Sequence, residues 1–148
     1  MHMQGTPATM QIDPRYDDVV GEVQAFFEQR AKELANAGVY VSQMVIDPGF
    51  GFGKTVDHNL TLLRNIGQFV GCRPLMVGAS RKGFLRKLLH LDSAAGTSMT
   101  DSTLVAANLA TTLHCALAGV DIIRTHDVMT SVRLIGTLPP LRATSRPL

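Results

Sequence analysis

The sequence predicts an α/β protein built on parallel strands, and three observations carry that prediction. Segments with a helical apolar period alternate with short apolar runs in the order helix, strand, helix, strand, helix, strand, helix. The connections between the runs are too long for hairpins, which implies parallel pairing through right-handed crossovers. Each run ends in a cluster of polar residues, the position at which open α/β sheets and (β/α) barrels bind ligands. A chain of 148 residues with 45% hydrophobic content suffices for one domain with a core, and is too apolar to be disordered.

Met1 to Met10 reads as a polar loop, and Pro14 delays the first helix. From Tyr16 to Ala37, Val19/Val20, Val23, Phe26/Phe27, Ala31 and Leu34 recur at steps of three and four, and Gly38 stands where a C-terminal cap belongs. Tyr40 to Ile46 is an apolar run without alternation, as expected of a strand buried on both faces. Asp57 is the expected N-cap of a helix from His58 to about Gln68, with Leu60, Leu63 and Ile66 inward. Pro74 to Val77 forms the second strand, and Gly83 to about Leu89 a short basic helix. A polar loop spans His90 to Met99. The next helix runs from about Thr100 to Ala118, with Leu104, Ala107, Ala110/Thr111, Leu113 and Leu117 as its packed stripe. Gly119 stops it, Val120 to Ile123 is the third strand, and Asp127 is placed to cap a last helix of about a dozen residues. The domain is expected to cover residues 1–138, with 139–148 a loose tail. Three parallel strands alone leave open edges, so the sheet reads as part of something larger.

Composition excludes several classes. A formal net charge of +2 argues against a nucleic-acid footprint or a membrane surface. No apolar run approaches the ~20 residues that span a bilayer, and no basic segment followed by an apolar one marks a signal peptide. Cys72 and Cys115 lie far apart outside any CxxC pattern and read as reduced thiols of a cytoplasmic protein. His58, His90 and His114 have no partners at metal-ligand spacing.

Three constellations carry chemistry. The first is Ile46-Asp47-Pro48-Gly49-Phe50-Gly51-Phe52-Gly53-Lys54. Asp47-Pro48 ends the strand, and the alternate glycines allow positive φ angles and close approach of backbone to a ligand. Phe50 and Phe52 offer flat surfaces and Lys54 a cation, which together suit a flat, polar heterocycle; a plain Asp-Pro-Gly turn is the competing reading. The second, Ser80-Arg81-Lys82-Gly83, sets a hydroxyl and two cations at a helix start. Cations oppose the dipole there, so a ligand explains them better than stability does. The third, Arg124-Thr125-His126-Asp127, puts a guanidinium and an imidazole on one side of an extended segment, able to clamp a phosphate or pyrophosphate. His2 is a weaker candidate for the same mouth.

Met1-His-Met-Gln-Gly-Thr-Pro7, Ile46 to Lys54, Gly78-Ala-Ser-Arg-Lys82 and Arg124-Thr-His-Asp-Val128 together resemble the dihydropteroate synthase family, in its order and spacing. The resemblance implies the C-terminal portion of a (β/α)8 TIM barrel, about strands six to eight with their helices. It implies a transferase of folate biosynthesis that joins p-aminobenzoate to hydroxymethyl-dihydropterin pyrophosphate and releases pyrophosphate, usually with Mg2+. By motif, Asp47 accepts from the amino-pyrimidine edge of the pterin and Lys82 donates to its opposite edge. Gly51, Phe52 and Ser80 shape the substrate site, and Gly83 opens a helix whose N–H groups face the p-aminobenzoate carboxylate. Arg124 and His126 hold the departing pyrophosphate; Lys82, Arg124 and His126 are the catalytic set. No metal ligand is assigned in this chain, because the family's Asn-x-Thr-Pro-Asp-Ser loop and its further Asp and Asn pterin contacts belong to segments N-terminal to it. The partners implied are these small molecules, with self-association or a complementary N-terminal half-barrel. The alternative is a non-catalytic half-barrel that binds pterin or a partner chain. A pterin-binding methyltransferase domain fits the Ser-Arg-Lys and Arg-Thr-His-Asp segments less well.

Overall fold

The computed structural model describes residues 1–71, 73–91 and 102–139. Its elements are α1 (Val19–Asn36), α2 (Val56–Arg64), β1 (Met76–Val77), α3 (Gly83–Leu88), α4 (Ser102–Ala118), β2 (Ile122–Ile123) and α5 (Val128–Gly136), with 3-10 turns at Val41–Gln43 and Ile66–Phe69. The expected parallel pairing is present. Met76 lies opposite Ile122 and Val77 opposite Ile123, and an isolated parallel bridge joins Ile46 to Leu75.

The expected strand from Tyr40 to Ile46 is reduced to the single bridge at Ile46, and the second and third expected strands are two residues long each. Val41–Gln43 closes into a 3-10 turn, because Gln43 Oε1 accepts from Tyr40 N–H at 3.1 Å, so only the end of the apolar run reaches the sheet. Nor is that run buried on both faces, since Val45 is 46% exposed while Met44 and Ile46 are buried.

The sheet residues separate by alternation. Ile46, Leu75 and Val77 face the helices and join Val23, Phe27, Leu62, Phe69, Leu104 and Cys115 in the core. Val45, Met76 and Ile122 lie on the other face, where Ile122 is 41% exposed. Neighbouring helices pack in sequence, α1 on α2, α2 on α3, α3 on α4 and α4 on α5, so they form one layer over one face of the strands. Among the described residues no helix is long and apolar enough to cross a membrane.

Helix ends follow local chemistry. Asp18 caps α1 by accepting from Val20 N–H at 3.1 Å, which starts the helix three residues after Tyr16. At its other end Gly38 takes φ +87°, while Gly38 N–H and Val39 N–H donate to the carbonyls of Ala35 and Leu34. That left-handed turn is open to glycine at little cost. The N-cap of α2 is Thr55, not Asp57: its hydroxyl accepts from His58 N–H at 3.1 Å, and His58 Nδ1 accepts from Thr55 N–H at 3.3 Å. Asp57 lies in the first turn, and the helix buries Asn59 and Leu62, with Ile66 in the turn beyond. In α4 the packed stripe is Leu104, Thr111, Thr112 and Cys115, whereas Leu117 is 47% exposed. Asp127 caps α5 as expected, accepting from Thr130 N–H at 3.0 Å, although the helix is nine residues long. Cys115 is unpaired, and burial pushes its thiol up to about 12. Cys72, most of the 90–99 loop, the helix start near Thr100 and nearly all of the 139–148 tail lie outside the described residues.

Candidate active site

The three chemistry-bearing segments converge at the C-terminal ends of the parallel segments. Asp47, one residue past the Ile46–Leu75 bridge, is 4% exposed. Its Oδ1 accepts from Gly49 N–H at 2.8 Å, which fixes the carboxylate plane, and its Oδ2 lies 4.0 Å from Nη2 of Arg124. Arg124 follows β2 and its guanidinium spreads over Gly78, where a Cβ would come within 2.5 Å of Nη2 and 2.9 Å of Cζ. Gly78 therefore provides the floor on which Arg124 rests.

Lys82 stands between these groups and the glycine loop. Its ammonium sits 3.9 Å from the ring centroid of Phe52, a cation–π contact. Burial lowers its pKa, Arg124 lowers it further, and Asp47 opposes both. Ser80 Oγ accepts from His126 N–H at 3.4 Å and lies 3.2 Å from His126 Nδ1, so the hydroxyl orients the imidazole. A cleft of about 430 Å³ is lined by Gly78, Ser80, Arg81, Lys82, Arg124, Thr125 and His126. A second of about 530 Å³ is bordered by Gln11, Gly51, Asn59, Lys82, Gly83 and Lys87, so Lys82 is common to both. Gly83 is the exposed first residue of α3.

Two expectations for the glycine loop change. Phe50 is 1% exposed and stacks on Phe84 with centroids 6.0 Å apart, so it belongs to the core and leaves Phe52 as the aromatic of the mouth. Lys54 is 4% exposed and donates to Gly49 O at 3.1 Å and Phe52 O at 3.0 Å, with His2 Nδ1 at 2.9 Å; it holds the loop from behind. His2 also lies behind the loop. Its ring meets Phe26 edge-on at 5.0 Å, and burial first, then Lys54, lower its pKa to about 4.

Sequence reasoning missed the residues that shape this loop. Asn59, fully buried, accepts from Gly51 N–H at 2.7 Å and donates to Thr55 O at 2.6 Å. Gln11 donates to Gly51 O at 2.6 Å and Tyr16 to Gly53 O at 2.8 Å. Gly51, expected to face a ligand, thus has both of its backbone polar groups engaged within the protein. The available signal was Asn59 itself, a polar residue three before Leu62 and seven before Ile66 on the buried stripe. Asn108 was likewise missed; its Oδ1 accepts from Arg81 N–H at 2.9 Å, holding a turn in which Arg81 takes φ +57°.

Carboxylate, ammonium, guanidinium and imidazole gathered at the C-terminal ends of parallel strands define an α/β protein with a charged mouth at the strand ends, where this architecture places its ligands. The chain belongs to the pterin-binding enzyme family, whose model matches residues 1–126. The dihydropteroate synthase of Escherichia coli K12 is 40% identical over 133 residues, covering 89% of this chain and 44% of that protein. The Stenotrophomonas maltophilia dihydropteroate synthase, solved with imidazole in its active site, superposes with a TM-score of 0.85 at 40% identity, over 98% of this chain and 52% of that one. The Thermus thermophilus enzyme has been solved with 6HMPPP (TM-score 0.82, 39% identity, 95% of this chain and 53% of that one). It has also been solved with 4-aminobenzoate (TM-score 0.79, 39% identity, 92% of this chain and 52% of that one). The chain therefore spans about half the length of the relatives it matches.

Proposed function

We propose that this chain supplies the strand-six-to-eight portion of a dihydropteroate synthase barrel and with it the groups that hold pterin pyrophosphate and p-aminobenzoate. One observation supports this above the others: Asp47 faces Arg124 and its charge reaches Lys82, and Lys82 borders two clefts, one of them also lined by Arg124 and His126. In the reaction, the amine nitrogen bonds to the pterin's exocyclic methylene carbon as the C–O bond to pyrophosphate breaks. The bonding pair leaves on pyrophosphate, and the amine gives up a proton. The fixed carboxylate of Asp47 matches the two-donor edge of the pterin, and Lys82 donates to the opposite edge. Phe52, Gly51, Ser80 and Gly83 bound the aminobenzoate side. Arg124 and His126 stabilise the charge that grows on the leaving pyrophosphate, so rate comes from positioning and electrostatics.

Magnesium, which the resemblance implies, finds no ligand set here. Among the described residues no three His, Cys, Asp or Glu side chains come together, and Asp47 is already engaged by Gly49 N–H and faced by a guanidinium.

The sheet face that the described residues leave open, with Val45 and Ile122 exposed, supports a partner: either a second copy or (β/α) units equivalent to the rest of the relatives' barrel. The test is to purify the chain, measure its mass in solution, and assay dihydropteroate formation with and without an N-terminal half-barrel of a related synthase. Turnover only with the added half supports the proposal. Pterin binding without turnover under either condition would favour a non-catalytic binding module instead. Absence of binding under both conditions would remove the synthase reading.

A further inference from the structure

We propose that Lys54 is a positioning residue of the site, acting through the glycine loop to seat the Phe52 ring beneath the Lys82 ammonium. The inference rests on the synthase reading only for what the site binds; the geometry stands apart from it. Lys54 Nζ reaches two carbonyls three residues apart, Gly49 O at 3.1 Å and Phe52 O at 3.0 Å. Between them the chain makes a turn closed by Phe52 N–H donating to Gly49 O at 3.1 Å. An ammonium across that turn fixes where residue 52 sits, and the Phe52 ring in turn lies 3.9 Å from Lys82 Nζ. The third partner, His2 Nδ1 at 2.9 Å, belongs to a segment also docked on this loop through His2 N–H to Asp47 O at 3.0 Å. Lys54 thus links both walls of the mouth; it borders the second cleft, but all three donors of its ammonium are directed at Gly49 O, Phe52 O and His2 Nδ1.

A buried cation costs stability unless something requires it. A methionine or leucine would fill the same space without desolvating a charge. What an apolar residue cannot do is donate to two carbonyls that face each other across a tight turn. The groups facing Lys54 are the His2 imidazole and, through His2, the chain's amino terminus, the Asp47 carboxylate at the strand end, the Tyr16 ring at 6.0 Å and the uncharged Asn59 of α2. Burial first lowers the Lys54 pKa, with Asp47 opposing, to about 8; Tyr16 is held up at about 12 and stays neutral. In the range from pH 7 to pH 10 Lys54 therefore changes charge while His2 and Tyr16 do not. The neutral amine keeps two N–H donors for the two carbonyls and a lone pair that can accept from His2 Nδ1–H, but its bonds to the turn lose their charge, so its hold weakens as pH rises through its pKa.

The experiment is NMR on the full chain, wild type and the variants Lys54→Met and Lys54→Arg, with two signals read. The ε-methylene protons of Lys82, shielded by the Phe52 ring, report the contact; the carbonyl carbons of Gly49 and Phe52 report the bonds from Lys54. In the wild type both carbonyl signals should move with one midpoint near pH 8. Lys54→Met should return the Lys82 protons to unshielded positions, and Lys54→Arg should keep the shielding and abolish the midpoint. Titration with 4-aminobenzoate should show about a tenfold weaker affinity for Lys54→Met, the size of one charged hydrogen bond. Inorganic pyrophosphate, held on the opposite side of Lys82, should bind within about twofold of wild type. Unchanged shielding in Lys54→Met would overturn the proposal. Should that variant not fold, wild-type carbonyls that stay flat through pH 8 would overturn it instead. If the wild type binds neither ligand, alone or with the added N-terminal half-barrel, the synthase reading fails while the NMR signals still decide the role of Lys54.

Discussion

Substituting alanine for Gly78 isolates Arg124 from the rest of the site. The φ angle of Gly78 lies outside the left-handed region, so alanine adopts the backbone without strain. What changes is the space above it: the new Cβ would lie 2.5 Å from Nη2, 2.9 Å from Cζ and 3.0 Å from Nε of Arg124. An ordinary van der Waals separation requires the guanidinium to lift by roughly 1 Å. The side chain of Arg124 is 56% exposed, so it can swing at little cost to the fold. Its 4.0 Å pairing with Asp47 then lengthens, but with the guanidinium largely in solvent and the separation at the limit of an ion pair this contributes no more than about 1 kcal/mol. The larger loss is of a preset bidentate anion fork, worth about 1.4 kcal/mol or a tenfold change in affinity if one of its charged hydrogen bonds goes. Gly→Ala also removes backbone freedom from the unfolded chain, a gain of about 0.4–1 kcal/mol, so net stability should move by less than about 1 kcal/mol. Calorimetric titration with inorganic pyrophosphate, beside urea denaturation, reads both quantities. Unchanged pyrophosphate affinity in a folded variant would refute the assignment of Arg124 to the anion. A loss of more than about 3 kcal/mol in stability would show that Gly78 serves the backbone and not the guanidinium.

Asp47→Asn keeps the shape of the anchor but turns one acceptor into a donor, and should cost about 2–4 kcal/mol of pterin binding by calorimetry in the completed barrel. His2, neutral when buried with a pKa near 4 against 6.5 unfolded, binds fewer protons in the folded state between those values. Stability should therefore be full well above pH 6.5 and fall by about 3 kcal/mol as pH drops to 4, a loss that urea midpoints should show shrinking in His2→Gln. Lys54 acts at the other end of the scale: its lowered pKa means that stability rises as pH climbs from about 8 towards 10.5, visible as a difference between wild type and Lys54→Met. Thr55→Ala should cost about 1 kcal/mol by loss of the α2 cap, whereas Asp57→Ala should cost only a few tenths through the helix dipole; thermal melts of the two variants check the order.

The sequence made the periodic elements legible and the loop interior much less so. The helices, the two short parallel strands after residue 74, the stop at Gly38 and the cap at Asp127 depend on local rules and are present in the structure, whereas the first expected strand survives only as the Ile46 bridge. The three polar segments were legible because each follows a strand, and the register brings Asp47, Lys82 and Arg124 together. Local rules failed where two partners compete for one role. Thr55 and Asp57 are both good caps, and Thr55 prevails because His58 completes a reciprocal pair with it. Phe50 and Phe52 are the same residue two positions apart, and only the presence of Phe84 sends one of them into the core. Lys54 read as a ligand cation because its acceptors are backbone carbonyls, which leave no trace in composition. Asn59 and Gln11 bond the loop from eight and forty residues away, distances at which no pattern in the chain announces a contact.

The pairing of Met76 with Ile122 and of Val77 with Ile123 has a consequence for which alterations of length this chain can absorb. Arg124 and Asp47 meet because both are odd or even in the right sense relative to the strands that carry them. Insertions within the long connection between α3 and α4 leave that parity untouched, however many residues they add. Removing one residue from 120–123 would instead turn the guanidinium toward the helical layer and an isoleucine toward the mouth. Removing two would preserve the facing but draw Arg124 back along its strand by about 6.6 Å, beyond reach of the carboxylate. Length variation among natural relatives should therefore collect in the connections and be absent from these short strands, whatever their residues.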